Sequence, residues 1–337
     1  MNILGIETSC DECSVAIVAD GRTIRGQVIA TQIDEHAPYD GVVPEIASRT
    51  HTRWISGIYS EALARADLAA AELDGVAVAN RPGLVGSLAV GVSFGKALAY
   101  GLGLPLCGVD HIRAHLYAPQ LAREVAYPFL GVLVSGGHTI IARVDDPLDI
   151  QVMGTTIDDA CGEAFDKVAK YYQMGYPGGA AVDRLAQDGD PYAFDFPDPS
   201  LHKGEHPYDV SYSGLKTAAI NQLERFRRSA SPTTVADIAA SFQRVAIDIL
   251  MRRVLRAVDD SGLNRVVLGG GVAANSYLRE MIGTHQELDA VFPPLDLCTD
   301  NGAMIAGLGY VLLQRGILDD LTLDVSARVS GFRRTYP

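Results

Sequence analysis

The sequence predicts a duplicated α/β protein of two lobes, each opening with three antiparallel strands and continuing with helices that alternate with single strands. Three observations carry this expectation. A strand, polar turn, strand, hairpin, strand series at the start recurs about 126 residues later. Single strands separated by helices follow each copy, the sign of an α/β layer arrangement. The 337 residues exceed one small core and suit two lobes of ordinary size, and 48% hydrophobic content with 34 glycines and 20% charged residues describes a compact, turn-rich chain.

In the first copy LGIET is apolar and strand-like, SCDE is a polar turn, CSVAIVAD is a second strand, DG signals a hairpin, and RTIRGQVIATQ is a third strand. LGVLVS, GGH, TIIARVDD and PLDIQVMGTT repeat the series. Both copies open with Leu-Gly and close on threonine, at Thr31 and at Thr155 and Thr156, as a duplication would. The first lobe continues with a helix near 43–66, strand DGVAVAN, a helix near 84–102, strand LPLCGV and a helix carrying His111 and His115. The second continues with GEAFDKVAKYYQ and AAVDRLAQ, a polar, Pro-rich insertion at 189–211, and long helices near 213–228 and 233–258. Strand NRVVLGG, helix ANSYLREMIG and strand AVFPP follow. A last helix from residue 300 crosses back, giving lobes of 1–127 plus 301–337 and 128–300.

Several classes are disfavoured. Residues 84–109 form an apolar run, but Lys96 at its centre and Pro105 at its end favour a buried helix followed by a strand over a membrane span. MNILGIETSC lacks the basic leader and apolar run of a signal peptide, and the five scattered cysteines, Cys10, Cys13, Cys107, Cys161 and Cys298, suit a reducing compartment, so a cytoplasmic location is expected. Cys10 and Cys13 form C-x-x-C between strand-like runs, without a second pair. A net charge of −13 opposes a broad grip on nucleic-acid phosphates, although Arg225, Arg227 and Arg228, and Arg252, Arg253 and Arg256, form local basic groups that either meet phosphates or solvate helix faces.

The chemistry concentrates in a few places. His111 and His115 have the i, i+4 spacing that puts two imidazoles on one helix face. A zinc protease would carry glutamate in the second position of H-E-x-x-H, where this chain has Ile112, so the pair has ligand spacing without the general base. Asp110 and His138 are candidate third ligands. The turns TSCDE and SGGHT offer backbone N–H groups to phosphate oxygens; Thr8, Ser9, Asp11 and Glu12 of the first are candidates to meet phosphate, or a metal through water, and Lys216 of SGLKT is a further candidate phosphate contact. In LGGGVAANSYLRE a buried strand ends in three glycines, where a flat ring can approach the backbone while Asn275 offers donor and acceptor groups. Strand duplication, two phosphate turns and this junction together resemble the actin, sugar kinase and Hsp70 superfamily, whose nucleotide lies in a cleft between lobes. Glu163 and Asp166 share a helix face in GEAFDK, suited to accept ribose hydroxyls or to act as a base.

In order along the chain, GIETSCDE, GGVVPEIASR, PGLVG, His111 and His115, LVSGGHT, DDACGEAFDK, YPGG, SGLKT, GGGVAAN and CTDNGAMIA resemble the TsaD family, formerly Gcp or the O-sialoglycoprotein endopeptidase homologues. That resemblance implies transfer of a threonylcarbamoyl group from threonylcarbamoyl-AMP to adenosine 37 of tRNAs reading codons that begin with A. In bacteria it implies the partners TsaB and TsaE and a separate synthase for the adenylate. It implies one divalent metal, iron before zinc, on His111, His115 and Asp300, and an ATP, ADP or adenylate site lined by Leu133, Val134, Ser135, Gly136, Gly137, Asp166, Gly179, Asp183 and Asn275, with Asp166 and Glu163 as the catalytic carboxylates. The chain departs from the family pattern at Arg113 and Ala114, where an acidic residue and a glycine are usual, and at Arg81, in place of the first glycine of GPGLVG.

Overall fold

The computed structural model describes residues 1–197, 206–228 and 234–329, the side chains of 223–228 excepted. The chain forms two compact units, one of Met1–Ala126 with the segment beginning at Pro293, the other of Tyr127–Phe292. The return to the first unit thus starts at Pro293, not after residue 300, and Asp300 belongs to the same unit as the two histidines. The Pro293–Pro294 pair ends pairing in the preceding strand, and the short helix after it packs on the turn at 118–121.

The first unit holds a sheet in the order β3-β2-β1-β4-β5, formed by β1 (Asn2–Glu7), β2 (Glu12–Ala19), β3 (Thr23–Thr31), β4 (Gly75–Arg81) and β5 (Leu106–Asp110). β1 to β3 are antiparallel, and β4 and β5 run parallel to β1. The β2–β3 hairpin turns on Asp20 and Gly21, at φ 50° and 72°, the left-handed pair that Asp-Gly supplies at least cost. Its helices are α1 (Ile33–His36), α2 (Pro44–Ala66), α3 (Val85–Leu102) and α4 (His111–Tyr117). Leu4, Ile6, Val15 and Ile17 pack against Ile55, Ile58 and Ala62 of α2 and Val92 and Ala99 of α3. Helices on both faces explain why β1 and β4 read as nearly unbroken apolar runs. α3 is long and apolar enough to cross a membrane, with a mean hydropathy of 1.3, yet Leu88, Gly91, Val92, Gly95 and Ala99 are buried along one side of it.

The second unit repeats the plan. β6 (Phe129–Val134), β7 (Thr139–Asp146), β8 (Asp149–Thr155), β9 (Arg265–Gly269) and β10 (Asp289–Val291) take the order β8-β7-β6-β9-β10, the same sequence of antiparallel and parallel neighbours as in the first sheet. Its helices are α5 (Cys161–Tyr172), α6 (Gly178–Ala186), α7 (Ser213–Arg228), α8 (Val235–Ser261) and α9 (Ser276–Thr284). Thr234 and Asp237 cap α8 reciprocally, and Phe165 of α5 meets Phe242 of α8 edge to face at 5.1 Å. Part of the insertion at 189–211 lies outside the described residues.

The chain then re-enters the first unit through α10 (Leu295–Cys298) and α11 (Gly302–Gln314), and α11 covers the sheet face opposite α2 and α3. Asn301 caps α11 by accepting from Met304 N at 2.9 Å, and the Gly302 amide donates to Ser14 Oγ of β2 at 2.8 Å. The approach is close. A Cβ on Gly5 would lie 2.2 Å from Gly302 O and 2.4 Å from Ala306 N, both backbone atoms. Gly5→Ala is therefore expected to cost roughly 1–3 kcal/mol or more, because neither backbone can give way as a side chain would. Urea unfolding checks it, and an unchanged midpoint would contradict this packing.

Candidate metal centre and nucleotide-binding residues

β5 delivers the chain into α4 through Asp110, whose Oδ1 accepts from the amides of Ile112 and Arg113 at 3.0 and 3.2 Å. Asp110, a rival third ligand, is thereby the N-cap of the histidine helix. Arg81 Nε lies 3.6 Å from its other oxygen. Ala114, beside the second histidine, is fully buried.

The rings of His111 and His115 stand at 87° with centroids 4.5 Å apart. Their Nε2 atoms face each other at 3.1 Å, and Asp300 Oδ1 lies 3.0 Å from His115 Nε2 and 3.5 Å from His111 Nε2. Asp300 reaches them because its neighbours Asn301 and Gly302 are fixed at the start of α11. His111, His115 and Asp300 are the group of potential metal-binding side chains found among the described residues. The donor set fits a divalent cation: two imidazole nitrogens and a carboxylate oxygen converge, as iron and zinc sites require. Ile112 is buried on the same helix and supplies no base.

Glu7, at the end of β1, went unnoticed in the sequence. It is fully buried, its Oε2 lies 3.0 Å from His111 Nδ1, and its Oε1 accepts from the Ser9 amide at 2.5 Å. Ser9 Oγ is also 3.2 Å from His111 Nδ1, and the Thr8 hydroxyl donates to Ser87 O. Both hydroxyls of the TSCDE turn thus already have protein partners. The signal available was a carboxylate in the otherwise apolar strand ILGIE, because buried charges are retained only when paired.

The electrostatics invite a cation. Burial, then the charges of Asp300 and Asp11, hold the Glu12 carboxyl well above its usual range. Burial drives His111 toward the neutral form, but Asp300 and Glu7 outweigh it and lift its pKa to about 9. Burial and the His111 charge keep His115 below the ordinary imidazole value, against the pull of Asp300.

In the second unit Leu133 and Val134 end β6, both fully buried. Ser135 closes the next turn, its amide donating to His138 O at 2.8 Å and its Oγ accepting from His138 N at 3.1 Å. Gly136 and Gly137 are exposed, with open space where a side chain would be, and the Gly162 amide at the start of α5 donates to Ser135 O. Gly270, at φ 85°, lies against Val134, where a Cβ would meet its carbonyl oxygen at 2.4 Å. β6, the SGGH turn, the α5 N-terminus and the GGG junction therefore form one neighbourhood.

Asp166 Oδ1 accepts from the Gly179 amide at 3.3 Å, tying α5 to α6. Asp183 accepts from the Ser276 amide and hydroxyl and from Asn275 Nδ2. Asn275 Oδ1 accepts from Leu278 N as the cap of α9, and its Nδ2 also donates to Gln243. Glu163 likewise accepts from Ala160 N, completing a cap of α5, and pairs with Lys167 at 2.8 Å. Lys216 pairs with Asp159, which also binds Lys167 at 2.8 Å; the two lysines hold the Asp159 carboxyl below its usual range although burial acts the other way. Arg252 and Arg253 donate to the carbonyls of Asp248 and Asp209, and Arg256 pairs with Asp260, whereas the side chains of Arg225, Arg227 and Arg228 lie outside the described residues.

Two sheets of one strand order, each opening on a polar turn, define the duplicated α/β class of actin, sugar kinases and Hsp70. Solved structures share it. (R)-2-hydroxyglutaryl-CoA dehydratase component A of Acidaminococcus fermentans matches with a TM-score of 0.56 at 16% identity, over 92% of this chain and 98% of that one. Full-length HypF in the phosphate- and nucleotide-bound form gives 0.60 at 14%, over 94% of this chain and 56% of that one. At such identities the likeness is one of fold.

Within that class the chain belongs to the TsaD family: the family model described as tRNA N6-adenosine threonylcarbamoyltransferase matches residues 23–307. The protein of that name from Treponema denticola is 55% identical over 334 residues, 99% of each chain. The one from Borrelia hermsii is 49% identical over 335 residues, covering 99% of this chain and 98% of its own.

The raised pKa of His111 has a consequence for the metal-free protein. Because the folded value, about 9, lies above the unfolded one, its contribution to stability is complete at low pH and lost as pH rises through about 9. In chelator, the unfolding midpoint of wild type is expected to fall more steeply between neutral pH and pH 9 than that of His111→Gln. Parallel profiles would contradict the assignment.

Proposed function

We propose that the chain transfers a threonylcarbamoyl group from threonylcarbamoyl-AMP to N6 of adenosine 37 in tRNAs reading codons that begin with A. The observation that carries this reading is the 55% identity, over 99% of both chains, to a tRNA N6-adenosine threonylcarbamoyltransferase. In the reaction the N6 amine attacks the carbamoyl carbon, the bond from that carbon to the phosphate oxygen breaks, AMP leaves with the electron pair, and the amine gives up a proton. The donor is made by a separate synthase, and TsaB and TsaE are the proposed partners in a bacterial cytoplasm. A net charge of −13 supports a partner that supplies part of the tRNA-binding surface.

His111, His115 and Asp300 would hold one divalent ion, Fe2+ in the first instance and Zn2+ in the second. When bound, such an ion supplies positive charge to orient the donor and to neutralise the departing phosphate. Leu133, Val134, Ser135, Gly136 and Gly137 would receive the phosphate side of the adenylate, or of ATP or ADP, through the open turn, with Gly179 and Asp166 toward the ribose. Asp183 and Asn275 would shape the adenine end through the bonds they make to each other. Both proposed catalytic carboxylates stand on α5 and are held within the protein, Glu163 by Ala160 and Lys167 and Asp166 by the Gly179 amide, and Asp166 is the one whose partner is itself a proposed adenylate-site residue.

The test is reconstitution with tRNA, threonylcarbamoyl-AMP, TsaB and TsaE, followed by mass spectrometry of the digested nucleosides. Wild type is expected to form threonylcarbamoyladenosine, and Asp166→Asn to lower the rate by roughly 10²-fold or more. Absence of product from wild type, while the Treponema denticola relative is active under the same conditions, would overturn the proposal.

A further inference from the structure

We infer that Glu7 is a positioning residue for the cation site, keeping a proton on His111 Nδ1 so that Nε2 is the nitrogen that gives up its proton to a cation and presents a lone pair toward His115 and Asp300. This rests on the proposal that His111, His115 and Asp300 hold a cation.

The geometry carries the inference. Glu7 has no exposed surface, and both carboxylate oxygens are engaged: Oε1 accepts from the Ser9 amide at 2.5 Å and Oε2 lies 3.0 Å from His111 Nδ1. A carboxylate can only accept, so against one the proton of the second contact belongs to Nδ1. A neutral imidazole protonated at Nδ1 has its lone pair at Nε2, the atom 3.1 Å from His115 Nε2 and 3.5 Å from Asp300 Oδ1. Carboxylate contacts of this kind set the tautomer and raise the basicity of a ligating histidine. The same carboxylate holds the backbone of the TSCDE turn, so ring orientation and turn conformation share one anchor. Among the described residues His115 has no such support: its Nδ1 is buried with no hydrogen-bond partner there. The support is therefore concentrated on His111.

Glu7→Gln discriminates, because an amide has one acceptor oxygen where Glu7 uses two. If that oxygen keeps the Ser9 bond, the NH2 group faces Nδ1, the ring proton moves to Nε2, and the cation meets a proton instead of a lone pair. If the amide is reversed, its NH2 opposes the Ser9 N–H and the turn must shift. Full-length protein stripped with chelator would be titrated with Co2+, followed by calorimetry and visible absorption. Glu7→Gln is expected to bind Co2+ roughly 10- to 100-fold more weakly than wild type. Binding within twofold of wild type would overturn the role of Glu7 alone, even if the variant's unfolding midpoint had dropped. Wild type that binds no Co2+ would overturn the cation site and Glu7 together. Should Glu7→Gln fail to fold, 15N spectra of histidine-labelled, Zn2+-loaded wild type decide: a His111 ring proton on Nδ1 supports the inference, and one on Nε2 overturns it.

Discussion

Two imidazole nitrogens that face each other at 3.1 Å cannot both keep their lone pairs there unless a proton or a cation lies between them. Much of the first unit answers to that constraint. The carboxylates of Glu7 and Asp300 lower the energy of positive charge at this point, and burial removes the water that would otherwise screen it. In the absence of metal the charge is a proton on His111, with a pKa near 9. A divalent ion would replace that proton and satisfy both rings at once.

The fold delivers the three groups from distant parts of the chain through contacts that leave little freedom. Asp110 caps α4 and so sets the direction of both histidines. Ser14 binds the Gly302 amide and Asn301 caps α11, which fixes the residue before them, Asp300. Gly5 allows α11 to lie directly on β1, the strand that ends in Glu7. A single strand thus provides both the bed for the helix that follows one ligand and the carboxylate that holds another. The second unit has the same strand order with a different first turn. Its first turn has exposed glycines where the other has acids, and Gly162 and Gly270 bring a helix start and a strand end against it.

Much of the architecture was legible because its signals are local. Each strand of the two copies, the Asp-Gly hairpin and the helix carrying His111 and His115 follow from periodicity and turn chemistry. The point of return to the first unit did not, because Pro293 and Asp300 lie only a few residues apart and the sequence gives no sign of which packs where. Asp300 could be linked to the histidines only through family resemblance, since 185 residues separate it from His115. Glu7 was missed because a charge at a strand end looks like the start of a polar turn. Asn275 and Glu163, expected beside the nucleotide, also cap helices. Capping and ligand binding draw on the same side-chain chemistry, so composition alone does not separate them.

The central claim is that His111, His115 and Asp300 share one cation. Anomalous diffraction above and below the iron and zinc absorption edges, on crystals grown with each metal, measures this most directly. The expected result is a single strong peak bonded to His111 Nε2, His115 Nε2 and an Asp300 oxygen. A peak elsewhere, with the two imidazoles bonded to each other through a proton, would contradict it.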